Sequence, residues 1–210
     1  LLQCLRLVVQ LDAVQARQLA KPQIHDVLGL SFAESPALLQ LQARFGTQTI
    51  SGSPNISLTG GASGGVQNAT FNVNEGNFAR IVANTGAQNI TAGTINILGG
   101  AGGTNNGAKI DSTGTGALQT INASGITLTG GSGGNVGNDN ATGNHARITS
   151  AASQSVSVGN GGLNINGGSG AAKGNYALVS EGGLTGNSQN ITVNGGGTLQ
   201  IQGGTSTGSN

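Results

Sequence analysis

One phrase recurs five times along this chain, and it restricts the possible folds more than any other feature. QTISGSPNISLTGG begins at Gln48, QNITAGTINILGG at Gln88, QTINASGITLTGG at Gln119, QSVSVGNGGLNINGG at Gln154 and QNITVNGGGTLQIQGG at Gln189. The glutamines are 40, 31, 35 and 35 residues apart. A second phrase precedes each one: Ala37-Leu-Leu, Ala79-Arg-Ile, Ala108-Lys-Ile, Ala146-Arg-Ile and Ala177-Leu-Val. Self-similarity at this period is the signature of a stacked repeat architecture, in which each unit buries its apolar face only against its neighbours.

Within each repeat the aliphatic residues alternate with polar ones. Ala-x-Ile, Gln-x-Ile and Ile-x-Leu are short period-2 runs, the pattern of half-buried strands. Gly, Asn, Ser and Thr fill the intervals and favour turns. A 3.6-residue stripe is absent, and 40 glycines in 210 residues disfavour helix. The expected fold is all-β: a right-handed parallel β-solenoid of about five coils, with three short strands per coil. Its inward columns are Ile50, Ile90, Ile121, Val156 and Ile191; then Ile56, Ile95, Ile126, Leu163 and Leu199; then Leu58, Ile97, Leu128, Ile165 and Ile201. Ala79 and Ile81, Ala108 and Ile110, and Ala146 and Ile148 supply the opposite wall.

Parity places Gln48, Gln88, Gln119, Gln154 and Gln189 with the inward isoleucines. Stacked at a corner, their amides are expected to bond one another as in amide ladders. Asn77, Asn106, Asn144 and Asn175 lie two residues before the inward Ala and are candidates for a second ladder or for solvated turns. Segments of unequal length follow the Gly-Gly turns and are expected to protrude from one corner, with Phe71 and Val73 folding over an end or side wall.

Residues 1–36 differ. They hold six charges (Arg6, Asp12, Arg17, Lys21, Asp26, Glu34) and one glycine, whereas residues 37–210 hold nine charges and 39 glycines. Leu5, Leu7, Val9 and Leu11 alternate as a strand would, Asp12–Ala20 favours helix, and Lys21-Pro22 stops it. Two parts follow: 1–36, a small helical or α/β cap or docking segment, and 37–210, the Gly/Asn-rich solenoid.

Charged residues are 7% and aromatics 2%, against about 25% charged in an average soluble protein. With a net charge of +1 and no basic run, nucleic acid is not an expected partner. The longest apolar runs fall short of the ~18 residues of a membrane span. Cys4 is the only cysteine, so neither an internal disulfide nor a cysteine zinc cage is expected. Leu1-Leu2-Gln3-Cys4 departs from a lipoprotein processing box at Gln3.

Gly99-Gly-Ala-Gly-Gly invites comparison with calcium-binding nonapeptides, but those need an Asp in every unit. Asp111 and Asp139 recur with no period, so no metal or cofactor is expected. Glycoside hydrolysis needs two carboxylates within about 5–10 Å. Glu75, Asp111, Asp139 and Glu181 fall in different phrases of different repeats, and His25 and His145 have no nucleophile beside them. The chain is therefore read as no enzyme. Arg80, Lys109 and Arg147 share one outward position and should form a basic column at about 4.8 Å per step. Such a column fits contact with acidic polysaccharide, or simple solubility, and solubility is the reading taken. The outward ranks mix Ser51, Thr91, Asn122, Ser157 and Thr192, a poor match to the regular Thr ranks that suit ice binding.

The phrases Gln-Thr-Ile-x-x-x-x-Ile-x-Leu-Thr-Gly-Gly and Gly-Asn-His-Ala-Arg-Ile resemble the β-helical repeat arrays of filamentous-haemagglutinin-like adhesins and related bacterial exoproteins. The resemblance covers residues 37–210. It implies a secreted or cell-surface protein, of the kind found in filaments and biofilm matrices, that binds surfaces or itself and carries no catalytic residues.

The leading expectation is an extracellular or cell-surface fibre or matrix subunit that stacks head-to-tail on itself. The alternative is part of a monomeric adhesin that binds a surface or polysaccharide. After Gly203-Gly204 no further Ala-x-Ile phrase follows, so the last strands are expected to leave open edges. The expected joint sets Ile191, Val193, Leu199 and Ile201 of one chain against Ala37, Leu38, Leu39, Leu41 and Phe45 of the next, with residues 1–36 reaching across.

Overall fold

The computed structural model describes residues 38–62, 77–103, 105–133, 143–170, 174–182 and 185–205. The expectations for residues 1–36, for Ala37, for Phe71 and Val73, and for the full arms lie outside these residues. Among the described residues there are twelve strands and no helix. They are β1 (Leu38–Ala43), β2 (Gln48–Ile50), β3 (Ile56–Thr59), β4 (Phe78–Ala83), β5 (Gln88–Leu98), β6 (Ala108–Ser112), β7 (Gln119–Thr129), β8 (Ala146–Ser150), β9 (Gln154–Asn166), β10 (Ala177–Glu181), β11 (Gln189–Val193) and β12 (Leu199–Gln202).

All strand pairs are parallel, and equivalent phrases lie on top of one another. The Ala-x-Ile strands form a five-stranded sheet in the order β1-β4-β6-β8-β10. The other two phrases form a seven-stranded sheet ordered β11-β9-β7-β5-β2, with β12 on β9 and β3 on β5. Three complete turns, β4–β5, β6–β7 and β8–β9, lie between a first row (β1, β2, β3) and a last row (β10, β11, β12). The fold is an all-β parallel solenoid.

The three-strand turn expected from the phrases holds only in the first and last rows. In the middle, the second and third phrases join into single strands of 11, 11 and 13 residues. The cause is the backbone between them. In the first row that stretch contains Pro54, which has no N–H to donate, and Gly52 and Ser53 with φ of 85° and 52°. In the last row it contains Gly195 and Gly196, again at positive φ. Ala92-Gly93-Thr94 and Ala123-Ser124-Gly125 instead stay extended in the β5–β7 ladder, and β9 accommodates two extra residues as an irregularity opposite Ala123/Gly125.

The core is what the alternation demands. Ile50, Ile90, Ile121 and Val156 stack in one buried column, Ile56, Ile95, Ile126 and Leu163 in a second, and Leu58, Ile97 and Leu128 in a third. Ala79, Ile81, Ala108, Ile110, Ala146 and Ile148 close the core from the five-stranded sheet. Burying each large aliphatic contributes about 1.5–3 kcal/mol, so a core without aromatics can hold this rod together.

Candidate functional site

The interior carries a polar spine as well as an apolar one. Gln48, Gln88, Gln119 and Gln154 are all buried. The Nε2 of Gln88 donates to Gln48 Oε1 at 2.7 Å, Gln119 to Gln88 at 2.7 Å, Gln154 to Gln119 at 2.5 Å and Gln189 to Gln154 at 2.7 Å. Each of the first four amides makes a second bond, to a carbonyl of the five-stranded sheet one row further on. Gln48 donates to Val82 O at 3.1 Å, Gln88 to Asp111 O at 3.1 Å, Gln119 to Thr149 O at 3.1 Å and Gln154 to Ser180 O at 3.3 Å. The ladder expected at a corner therefore runs inside the wall and laces the two sheets together. Every Nε2 points its inter-glutamine bond back toward the first row, so the ladder has a direction.

The asparagine column works differently from an amide ladder. Asn106 Oδ1 accepts the backbone N–H of Asn77 at 2.7 Å, Asn144 Oδ1 that of Asn106 at 2.8 Å, and Asn175 Oδ1 that of Asn144 at 2.8 Å. Their Nδ2 groups turn to the glycine turns: Asn175 donates to Ser169 O at 2.7 Å and to Gly133 O at 2.9 Å. The same asparagines close the base of each arm through Gly61, Gly100, Gly131 and Gly168, whose N–H groups donate to the carbonyls of Asn77, Asn106, Asn144 and Asn175. There is no room for a side chain here. A Cβ at Gly131 would stand 2.1 Å from Gly100 O.

The outer face of the five-stranded sheet corrects one expectation. Arg80, Lys109 and Arg147 do occupy one register position, but they do not form a solvated column. Lys109 is 3% exposed, and Asp111 and Val82 are buried too. Asp111 Oδ2 lies 3.3 Å from Arg80 Nε and 3.4 Å from Lys109 Nζ, while its Oδ1 accepts the Thr149 hydroxyl at 2.5 Å. Charges removed from water must be paired, and this one carboxylate bridges two turns. Beside it, Phe78, Gly107, His145 and Tyr176 share a register position by extension of the same ladders. Lys109 Nζ is 5.7 Å from the centre of the Phe78 ring, and His145 stacks on Tyr176 at 5.7 Å. A side chain at Gly107 would meet the His145 ring, its Cβ 2.6 Å from Nε2. Burial, together with Arg147 and Lys109, lowers the His145 pKa to about 4, against raising effects from the Gly143 backbone and Asp111. His145 is therefore neutral at pH 7. Among the described residues, no group of three or more His, Cys, Asp or Glu side chains is placed to hold a metal ion, and no helix is long and apolar enough to cross a membrane.

The two end rows are unlike each other. In the first row Gln48, Ile50, Ile56 and Leu58 are buried. In the last row Leu199 is 56% exposed and Ile201 is 72% exposed, although both hold the inward register of Leu163 and Ile165. Ile191 and Val193 are half-buried against the core. Among the described residues no strand pairs with the far side of β10, β11 or β12. A concavity of about 460 Å³ opens there between the sheets, lined by Ile165, Tyr176, Ala177, Ile201 and the glycines of two turns.

Comparison of the chain with protein-family models, curated proteins and solved structures finds no match.

Of the residues expected at a joint, Ile191, Val193, Leu199 and Ile201 are brought together on this open row. Leu38 and Leu39 lie on β1, paired with Phe78 and Ala79. Leu41 packs against the core. Phe45, in the turn after β1, is 80% exposed and on no shared face with the other four by register. Gln189 belongs to the same row.

Proposed function

We propose that this chain is a structural, non-enzymatic rod: a secreted or cell-surface solenoid subunit that extends head-to-tail into a fibre or matrix. In this reading the rod counts five coils wound right-handed, as parallel crossovers almost always are, and it needs no cofactor. The observation that carries the reading is the open last row. Leu199 and Ile201, 56% and 72% exposed, sit on strand edges with no further strand beside them among the described residues, and such edges are templates for another chain. A head-to-tail contact does not close on itself and so propagates. The resemblance to haemagglutinin-like repeat arrays agrees with an extracellular or bacterial-surface setting, with itself, a surface or a polysaccharide as partner.

A second reading is favoured by the burial of the first row. In a monomeric adhesin array that binds a surface or polysaccharide, only one face of this segment has to stay open, to receive a further repeat. Electron microscopy and sedimentation of the purified 210-residue chain separate the two. Filaments in the parent protein that disappear in Ile201→Lys support the fibre. Short, monodisperse rods from both proteins would overturn it in favour of the array.

A further inference from the structure

Asparagine followed by glycine occurs four times in the chain, at Asn106, Asn160, Asn166 and Asn194. Such a pair can rearrange on itself, because a glycine nitrogen with no Cβ beside it reaches back easily to the asparagine side chain. Three of the four are held in place. Asn106 is fully buried, its Oδ1 accepts the Asn77 N–H at 2.7 Å, and its Nδ2 donates to Gly102 O. Beside Asn166, the Gly167 N–H that would attack is bound to Gln202 O at 2.8 Å. Asn194 Nδ2 donates to Ser157 Oγ at 3.1 Å, and the Asn194 carbonyl accepts the Gly197 N–H to close a turn. Asn160 and Gly161 differ. Both are exposed. They lie in the irregularity of β9 between Val158 and Gly162, where neither has a register partner in β7, β11 or β12.

We propose that Asn160 is a site of spontaneous modification, at which the folded chain converts a side-chain amide into a carboxylate without an enzyme. The Gly161 nitrogen gives its proton to hydroxide and attacks Asn160 Cγ. The new C–N bond closes a succinimide ring, the bond from Cγ to Nδ2 breaks, and the nitrogen leaves as ammonia with a proton from water. Water then opens the ring at either carbonyl, giving aspartate or isoaspartate. Residues in a bulge are free of the ladder and can take up the backbone turn this needs, whereas paired residues must first open locally. The placement of Asn160 gives the change a consequence. Its Oδ1 sits over Gly195 of the next row, so close that a Cβ on Gly195 would collide with it. Isoaspartate adds a carbon to the backbone path between the part of β9 that carries β11 and the part that carries β12. Either product adds a negative charge to a chain of formal net charge +1.

The 210-residue chain is held in mildly alkaline buffer, folded or in urea, and sampled by peptide mapping with mass spectrometry and isoaspartate detection. Urea removes the fold, so all four pairs should convert there at similar rates. In the folded chain Asn160 should convert first. Asn106, Asn166 and Asn194 should lag by about fivefold or more, the factor for breaking one hydrogen bond of ordinary strength. Isoelectric focusing should show a more acidic band growing from the folded parent and not, on the same timescale, from folded Asn160→Gln, a substitution at an exposed position. Conversion of Asn106, Asn166 or Asn194 as fast as Asn160 in the folded chain overturns the assignment. So does an unchanged Asn160 in a folded chain whose urea sample converts, the same ranking of the four with and without urea, or an acidic band that grows equally from Asn160→Gln.

Discussion

Replacing Gln119 by leucine tests the interior spine where it is most enclosed. The Gln119 amide donates to Gln88 Oε1 at 2.7 Å and to Thr149 O at 3.1 Å, and its oxygen accepts from Gln154 at 2.5 Å. Leucine has nearly the same volume and none of these groups. It leaves Gln88 Oε1 with no donor, and Gln154 Nε2 keeps only the 3.3 Å bond to Ser180 O. A buried polar atom left unpaired costs about 1–3 kcal/mol. Gln88 Oε1 is one such atom, and the bond lost by Gln154 Nε2 adds about 1 kcal/mol; less about 1–2 kcal/mol from the added apolar burial, the net loss is about 1.5 kcal/mol. Gln189→Leu is the control. That side chain is exposed and makes one ladder bond, to Gln154 Oε1, which lies beside solvent at this row and can be rehydrated, so its loss should cost below about 0.5 kcal/mol. With a urea slope of about 2 kcal/mol/M, the midpoint followed by far-UV circular dichroism should fall by about 0.8 M for Gln119→Leu and below about 0.3 M for Gln189→Leu. Equal small shifts in the two variants would refute the ladder as a stabilising element.

Three further outcomes are expected. Ile126→Ala, at a fully buried site in the second column, should lower unfolding free energy by about 2–5 kcal/mol, measured by the same titration. Gly131→Ala should destabilise strongly, because the new Cβ meets Gly100 O, whereas Gly203→Ala meets nothing within 4 Å and should melt as the parent does. His145 has a folded pKa of about 4 against 6.5 unfolded. Between those values the unfolded chain takes up a proton that the folded chain refuses, so stability falls as pH drops from 6.5 to 4, by up to about 3 kcal/mol; His145→Phe should flatten that part of the profile in urea titrations at pH 7 and 4.5.

The parts of this fold that could be read in advance are those decided by parity. A period-2 run in a parallel stack has two faces, and one repeat's assignment constrains all five. Hence Ile50, Ile90, Ile121 and Val156 fall in one column, and Gln88 lies over Gln48. What the phrases could not contain is the partner each polar group chooses. The asparagines bond the N–H of the previous row because the arm turns back there, a backbone property invisible in the letters Asn-x-Ala. Whether two phrases form one strand or two depends on a Pro54 or a Gly195-Gly196 at the corner. Arg80, Lys109 and Arg147 show the opposite limit. Their register was legible from alternation, but alternation says only that they leave the core. It does not say whether water or protein waits on the other side, and Asp111 bridges two of them in a buried setting.

The last described row divides along the same line. Ile201 carries the same code as Ile97 and Leu128, a β-branched or leucyl side chain two residues after its column partner. Those two are fully buried and Ile201 is 72% exposed. The difference lies in the row beyond and nowhere in the residue itself. Solenoid stability is a sum of nearest-neighbour terms, so a row with one neighbour has half its stacking energy unrealised. Leu199 and Ile201 are where that shows, beside the concavity between the sheets. In this fold the repeat that builds the interior is also the shape of its end.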